Sequence, residues 1–126
     1  MVKRSRGRPT PTTVDREWPH QIALPDDICT ARNYNLIRRF CDDHGLDHWT
    51  RKVQSIWPDG RYEEWRLHCF RDPAAAEAFR ARFGGIVFDP AKDREGGRSL
   101  GVWRRQGAHE RILDLGPLSV PEALRS

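Results

Sequence analysis

His48-Trp49-Thr50-Arg51-Lys52-Val53-Gln54-Ser55-Ile56-Trp57-Pro58-Asp59-Gly60-Arg61-Tyr62-Glu63-Glu64-Trp65-Arg66-Leu67-His68-Cys69-Phe70 is the stretch that decides the fold. Both flanks are rich in β-formers, and Pro58-Asp59-Gly60 between them carries turn chemistry, with proline presetting φ and glycine free to take positive φ. The stretch reads as a β-hairpin. In its second strand Glu63, Trp65, Leu67 and Cys69 alternate with Tyr62, Glu64, Arg66, His68 and Phe70. One face is then largely apolar and the other largely polar, which predicts a sheet covered on one side only.

Working outward, Tyr34, Ile37, Phe40 and Cys41 recur at helical spacing after Thr30 and Asn33, either of which suits an N-cap. This predicts a helix ending near His44, with Gly45 as its C′ residue and Tyr34 turned inward. Downstream, Asp72-Pro73 is a cap followed by proline at the first helical position. An alanine-rich run then reaches Phe83 before Gly84-Gly85, with Ala76, Phe79 and Phe83 as the inward stripe. Ile86-Val87-Phe88 predicts a last short strand, and Ile22 and Leu24, between Pro19 and Pro25, a first one. Strand, helix, hairpin, helix and strand make an α+β domain over residues 17–90. The order predicts a ferredoxin-like β-α-β-β-α-β sandwich, an antiparallel sheet with both helices on one face.

Residues 1–16 carry two prolines and no apolar periodicity, so they are expected to form a disordered basic arm. Residues 91–126 form a C-terminal extension. It opens without periodicity and then gains Leu100, Val102, Trp103, Ile112, Leu113, Leu115 and Leu118, some part of which is expected to pack back on the sheet. Charge divides along the same lines. Residues 1–20 hold five Lys/Arg against two acids, residues 21–90 ten against eleven, and residues 91–126 seven against five. Cys29, Cys41 and Cys69 show neither a Cys-x-x-Cys pair nor a disulfide-framework spacing, which suits reduced thiols. With no apolar run of spanning length and none behind the basic N-terminus, the expected location is cytoplasmic, off the membrane.

Arg6-Gly7-Arg8-Pro9, preceded by Lys3 and Arg4, resembles the core of a single AT-hook. In such a peptide glycine lets the backbone lie deep in a narrow minor groove while arginines run along its floor. The resemblance implies contact with AT-rich DNA, or with a polyanion generally, through Lys3, Arg4, Arg6, Gly7, Arg8 and Pro9, with Lys52 and Arg66 as auxiliary contacts. The far side of the hook departs from the pattern, since Thr10, Pro11, Thr12 and Thr13 stand where basic residues belong. Tyr62, Arg66, His68 and Phe70 would share the polar sheet face. The Gly-containing aromatic octapeptide of RNA-recognition motifs is absent, however, and Glu64 puts negative charge at the centre of that face.

Other chemistry is sparser. Cys41, Asp42, Asp43, His44, Asp47 and His48 crowd one run, but Gly45 ends the helix between the histidines, so no metal is expected. No Gly-rich phosphate loop, carboxylate pair or activated nucleophile stands out, so neither a cofactor nor catalysis is expected. Glu17-Trp18-Pro19-His20-Gln21 and Phe70-Arg71-Asp72-Pro73, continuing through Glu77, Phe79 and Phe83-Gly84-Gly85, resemble short uncharacterised alphaproteobacterial proteins across residues 17–90. That resemblance implies a bacterial cytoplasmic source and brings no activity with it.

The leading expectation is a non-enzymatic binding or accessory module, its arm contacting nucleic acid and its domain serving homodimerisation or partner docking. The first alternative is a small-molecule sensor or small enzyme with a pocket at the sheet, lined by Trp57, Trp65, His68 and Phe70. A structural or assembly component is the second.

Overall fold

The structure, a computed structural model, describes residues 9–120. Lys3, Arg4, Arg6, Gly7 and Arg8 lie outside the described residues, and Pro9 is the first inside them. The elements in order are α1 (Pro11–Glu17), β1 (His20–Pro25), a 3-10 turn (Asp26–Ile28), α2 (Ala31–Asp43), β2 (His48–Ile56) and β3 (Tyr62–Phe70). There follow α3 (Pro73–Phe83), β4 (Ile86–Phe88), α4 (Pro90–Asp93), a 3-10 turn (Glu95–Gly97) and β5 (Trp103–Arg104). The protein is a mixed α+β fold around one five-stranded sheet of order β4-β1-β3-β2-β5. The first three pairings across the sheet are antiparallel, and β5 joins β2 in parallel.

The local signals act as chemistry requires. In the hairpin His48 pairs with Phe70 and Ile56 with Tyr62, and the turn closes through Gly60 N–H to the Trp57 carbonyl at 2.8 Å. Asp72 caps α3 by accepting from the Ala74 amide at 2.9 Å. Gly85 is required by its surroundings, because at φ 101° a Cβ there would stand 2.8 Å from the Ala23 carbonyl oxygen. Tyr34, expected inward, is 47% exposed, and α2 buries Asn33, Ile37 and Cys41 instead.

The faces of the sheet correct the sequence expectation. Both are covered, and the helices lie on the face predicted to be open. Ile22, Leu24 and Phe70 pack beneath α2 and α3 with Ile37, Cys41, Phe79 and Phe83. Trp65, Leu67 and Cys69, expected under the helices, form a second core on the opposite face with Val14, Trp18, Ala23, Val53, Phe88 and Trp103. The alternation in β3 is real, but its polar members Arg66 and His68 are one half-buried and one buried under the helix layer.

The chain ends build that second core. Residues 11–16, expected within an unstructured arm, form α1 together with Glu17. Thr10 caps it through Oγ1 at 3.2 Å from the Thr13 amide, and Val14 and Trp18 are its buried contacts. From the other end Trp103 meets Trp65 and Phe88 edge-on, with ring centroids 5.3 and 5.0 Å away. A polar network ties both ends to β2. Arg51 binds Asp15 at 2.5 Å and donates to the Ser99 carbonyl, while Arg94 donates to the carbonyls of Gly101 and Lys52, each at 3.0 Å. The extension then returns to the helix face, burying Leu115 and Leu118. There Asn33 holds it by donating to the Ser119 carbonyl at 2.7 Å and accepting from the Ser119 amide at 2.8 Å. No helix among the described residues is long and apolar enough to cross a membrane.

Candidate functional site

Helix α2 leaves the β2–β3 end of its sheet face partly open, and a cavity of about 390 Å³ lies there. Its interior is formed by Cys29, after the 3-10 turn, Ile37 and Cys41 on α2, and Leu46 beyond it. Thr50, His48 and His68 come from the hairpin, and Tyr34, Arg38, Asp42 and Arg66 also border the space.

The deep end is a row of three side chains. Cys29 Sγ lies 3.8 Å from His68 Nε2, and His68 Nδ1 lies 3.2 Å from His48 Nε2. The two imidazoles are nearly coplanar in orientation, 6° apart, and Phe79 stacks on His68 at 4.8 Å. His68 is buried and His48 half-buried, so the row runs from the interior toward the pocket. With 3.2 Å between ring nitrogens, one imidazole donates to the other; the two together are not a ligand pair for one ion at that edge. Among the described residues no group of three or more His, Cys, Asp or Glu side chains converges to hold a metal.

Burial governs the protonation of the row. It lowers His48 to about 4, against the opposing pull of Asp42 and Asp47. It holds His68 well below the usual range, helped by His48 and Arg66. The Cys29 thiol is pushed up to about 12 by burial, with Arg66 acting in the other direction. At neutral pH the row is therefore two neutral imidazoles and a protonated thiol, able to pass protons along without holding net charge.

The bordering charges are mostly answered. Arg66 Nε binds Asp26 at 2.9 Å, Lys52 Nζ approaches the same carboxylate at 3.6 Å, and Arg38 lies 3.8 Å from Asp42. Lys52 also stands 3.9 Å from Glu64, so both residues taken as auxiliary nucleic-acid contacts are ion-paired.

The four residues expected to line a ligand pocket are separated by the sheet. Trp65 is on the far face, with its Nε1 donating to Ser55 Oγ at 3.0 Å. Trp57 donates to Glu63 at 3.2 Å, and the Arg105 guanidinium fills the space over both tryptophan rings, 4.5 Å from Trp57 and 5.3 Å from Trp65. Phe70 is buried in the helix-side core, so of the four only His68 borders the cavity. Sequence reading missed Cys29 and His48 as its neighbours, although a signal existed. A turn centred on Asp59 pairs Phe70 with His48 and His68 with Thr50, which brings the two histidines to diagonal positions on one face.

Comparison with protein-family models, with curated proteins and with solved structures returned no match to this chain. Function has to be read from the geometry.

Proposed function

We propose that this protein is a small-molecule-binding module whose site is the cavity between α2 and the hairpin. A single observation carries the reading: a cavity of about 390 Å³, within the range of ligand sites, in which polar groups converge on a partly apolar interior. Arg38 and Arg66, each beside a carboxylate partner, keep further guanidinium N–H groups at its border, which suits a ligand with a carbonyl group, and the half-buried His48 ring offers a flat surface for a planar one. Among the four core strands, the order β4-β1-β3-β2 with antiparallel neighbours supports a ferredoxin-like split β-α-β arrangement, to which β5 and the chain ends are additions. Three free thiols suit a cytoplasmic setting.

The test is an amide NMR titration with small aromatic carboxylates and amides. Shifts gathered at Tyr34, Arg38, His48 and Thr50, and abolished when Ile37→Trp fills the space, support the site. Shifts scattered elsewhere, or none across the panel, refute it.

A second reading keeps the polyanion contact of the run Lys3 to Pro9, favoured by its position two residues before a helix that Asp15 and Trp18 fasten to the sheet. Anisotropy with AT-rich and GC-rich duplexes, comparing the full chain with one lacking residues 1–8, decides it. Homodimerisation through a sheet edge would have only three residues to use at β4, where Val87 is exposed.

A further inference from the structure

We infer that Cys29 is a site of covalent capture for soft carbon electrophiles of the α,β-unsaturated carbonyl class, with His68 and His48 carrying away its proton. The inference rests on the cavity being a ligand site and adds what the ligand does there. Cys29 borders the cavity and is buried rather than exposed, so a reagent reaches it only through that space. Its thiol hydrogen has two acceptors, the Pro25 carbonyl at 3.5 Å and His68 Nε2 at 3.8 Å. Only the second leads outward, through the 3.2 Å contact to His48.

The step balances without an oxidant or a second reactant. A sulfur electron pair forms the S–C bond to the β carbon, and the alkene π pair moves toward the carbonyl as an enolate. The thiol proton passes to His68 Nε2, His68 passes its Nδ1 proton to His48 Nε2, and His48 releases its Nδ1 proton, through solvent, to the α carbon. Each imidazole gains one proton and loses one, finishing as its other tautomer, so no charged imidazolium has to persist in the buried row.

The surroundings bear on this in named ways. Arg66 faces Cys29 and favours charge developing on sulfur, while Asp26 and Asp27 oppose it. Asp42 and Asp47 draw protons toward His48, and Arg38 repels them. The other two cysteines differ in setting. Cys41 borders the same cavity but has no imidazole among its hydrogen-bond partners, and Cys69 is buried on the far face.

The mechanism has a signature in pH. With its thiol at about 12, Cys29 is a thiolate in roughly one molecule in 10⁵ at pH 7, so a thiolate-only route speeds up tenfold per pH unit. Proton removal by neutral imidazoles uses groups already in the required state, so its rate stays flat from about pH 5.5 to 8.5.

The experiment treats the full chain with N-ethylmaleimide, follows each cysteine by peptide mass mapping, and titrates the unreactive N-ethylsuccinimide in parallel by amide NMR. The expected result is an adduct at Cys29 ahead of Cys41 and Cys69, saturating with reagent, flat in pH, and slowed roughly 100-fold in His68→Gln and His48→Gln. The pH profile uses the unaltered protein, so misfolding of a histidine variant does not decide the matter. A tenfold rise per pH unit, or first reaction at Cys41 or Cys69, overturns the inference. N-ethylsuccinimide shifting Tyr34 and Thr50 without an adduct on Cys29 overturns this inference alone. Neither shift nor adduct overturns the cavity reading with it.

Discussion

Replacing Asp15 with Asn is expected to loosen both chain ends together. The Asp15 carboxylate takes Arg51 Nη1 at 2.5 Å and Gln21 Nε2 at 3.0 Å, and lies 3.8 Å from Arg94 Nε. The two arginine side chains are 8% and 3% exposed and Asp15 is 15% exposed, so solvent screens the group little. Two guanidiniums share one carboxylate, and removing its charge leaves both in the interior without it. Breaking a buried pair in this way costs about 3–5 kcal/mol. Asparagine still offers an acceptor oxygen, and Arg94 keeps its two carbonyl partners, which places the expected loss near the lower end, about 3 kcal/mol. For a domain of this size that lowers the melting temperature by roughly 10 °C. The assay is thermal and urea unfolding at pH 7, followed by circular dichroism, on Asp15→Asn, Arg51→Met and the double variant. The double variant should recover about 1 kcal/mol or more relative to the additive sum, because the second change removes an unpaired charge. A loss under about 1 kcal/mol for Asp15→Asn, or strict additivity, would refute the view that this carboxylate holds the ends on the sheet.

Three further outcomes follow from the same packing. Trp103→Ala should cost about 3–5 kcal/mol in urea unfolding, since the ring is buried edge-on against Trp65 and Phe88; a loss under about 1 kcal/mol would mean that β5 does not contribute to the core. Asn33→Ala should cost about 2–3 kcal/mol and raise hydrogen exchange at the Ser119 amide, because it orphans that amide along with the Ile28 and Ser119 carbonyls; unchanged exchange at Ser119 would count against the clasp. The histidine row makes stability depend on pH. His48 binds its proton near 6.5 when unfolded and near 4 when folded, so the unfolded state holds more protons between those values and stability falls as pH drops through them. His68 acts in the same direction, and each contributes up to about 1.4 kcal/mol per pH unit; urea midpoints from pH 7.5 to 4 should fall less steeply in His48→Gln than in the parent.

Much of the local structure was legible in the residues because the forces that set it are local. Pro58-Asp59-Gly60 closes the hairpin, Gly45 stands just past the end of α2, and Asp72-Pro73 with Gly84 bounds α3, each through backbone preferences acting within a few residues. The seven residues of α1 escaped the same reading because so short a helix, with one buried position before its cap residue, shows no period. Its place is secured by Asp15 and Trp18, whose partners Arg51, Arg71 and Trp49 come from other parts of the chain.

The sequence alone determined that β3 has two faces of different character, because side chains in a strand must alternate. It did not determine which face the helices would cover. Trp65, Leu67 and Cys69 are the more apolar set, yet the chain ends bring a second apolar layer to them, while His68 and Phe70 are taken up beneath α2 and α3. A strand buried on both sides gives alternation no solvent face to mark, and the choice passes to contacts between residues distant in sequence. The candidate site shares that origin. Cys29, His48 and His68 are unremarkable where they stand in the chain, and only the register of the hairpin and the packing of the turn before α2 bring sulfur and imidazoles into one buried row.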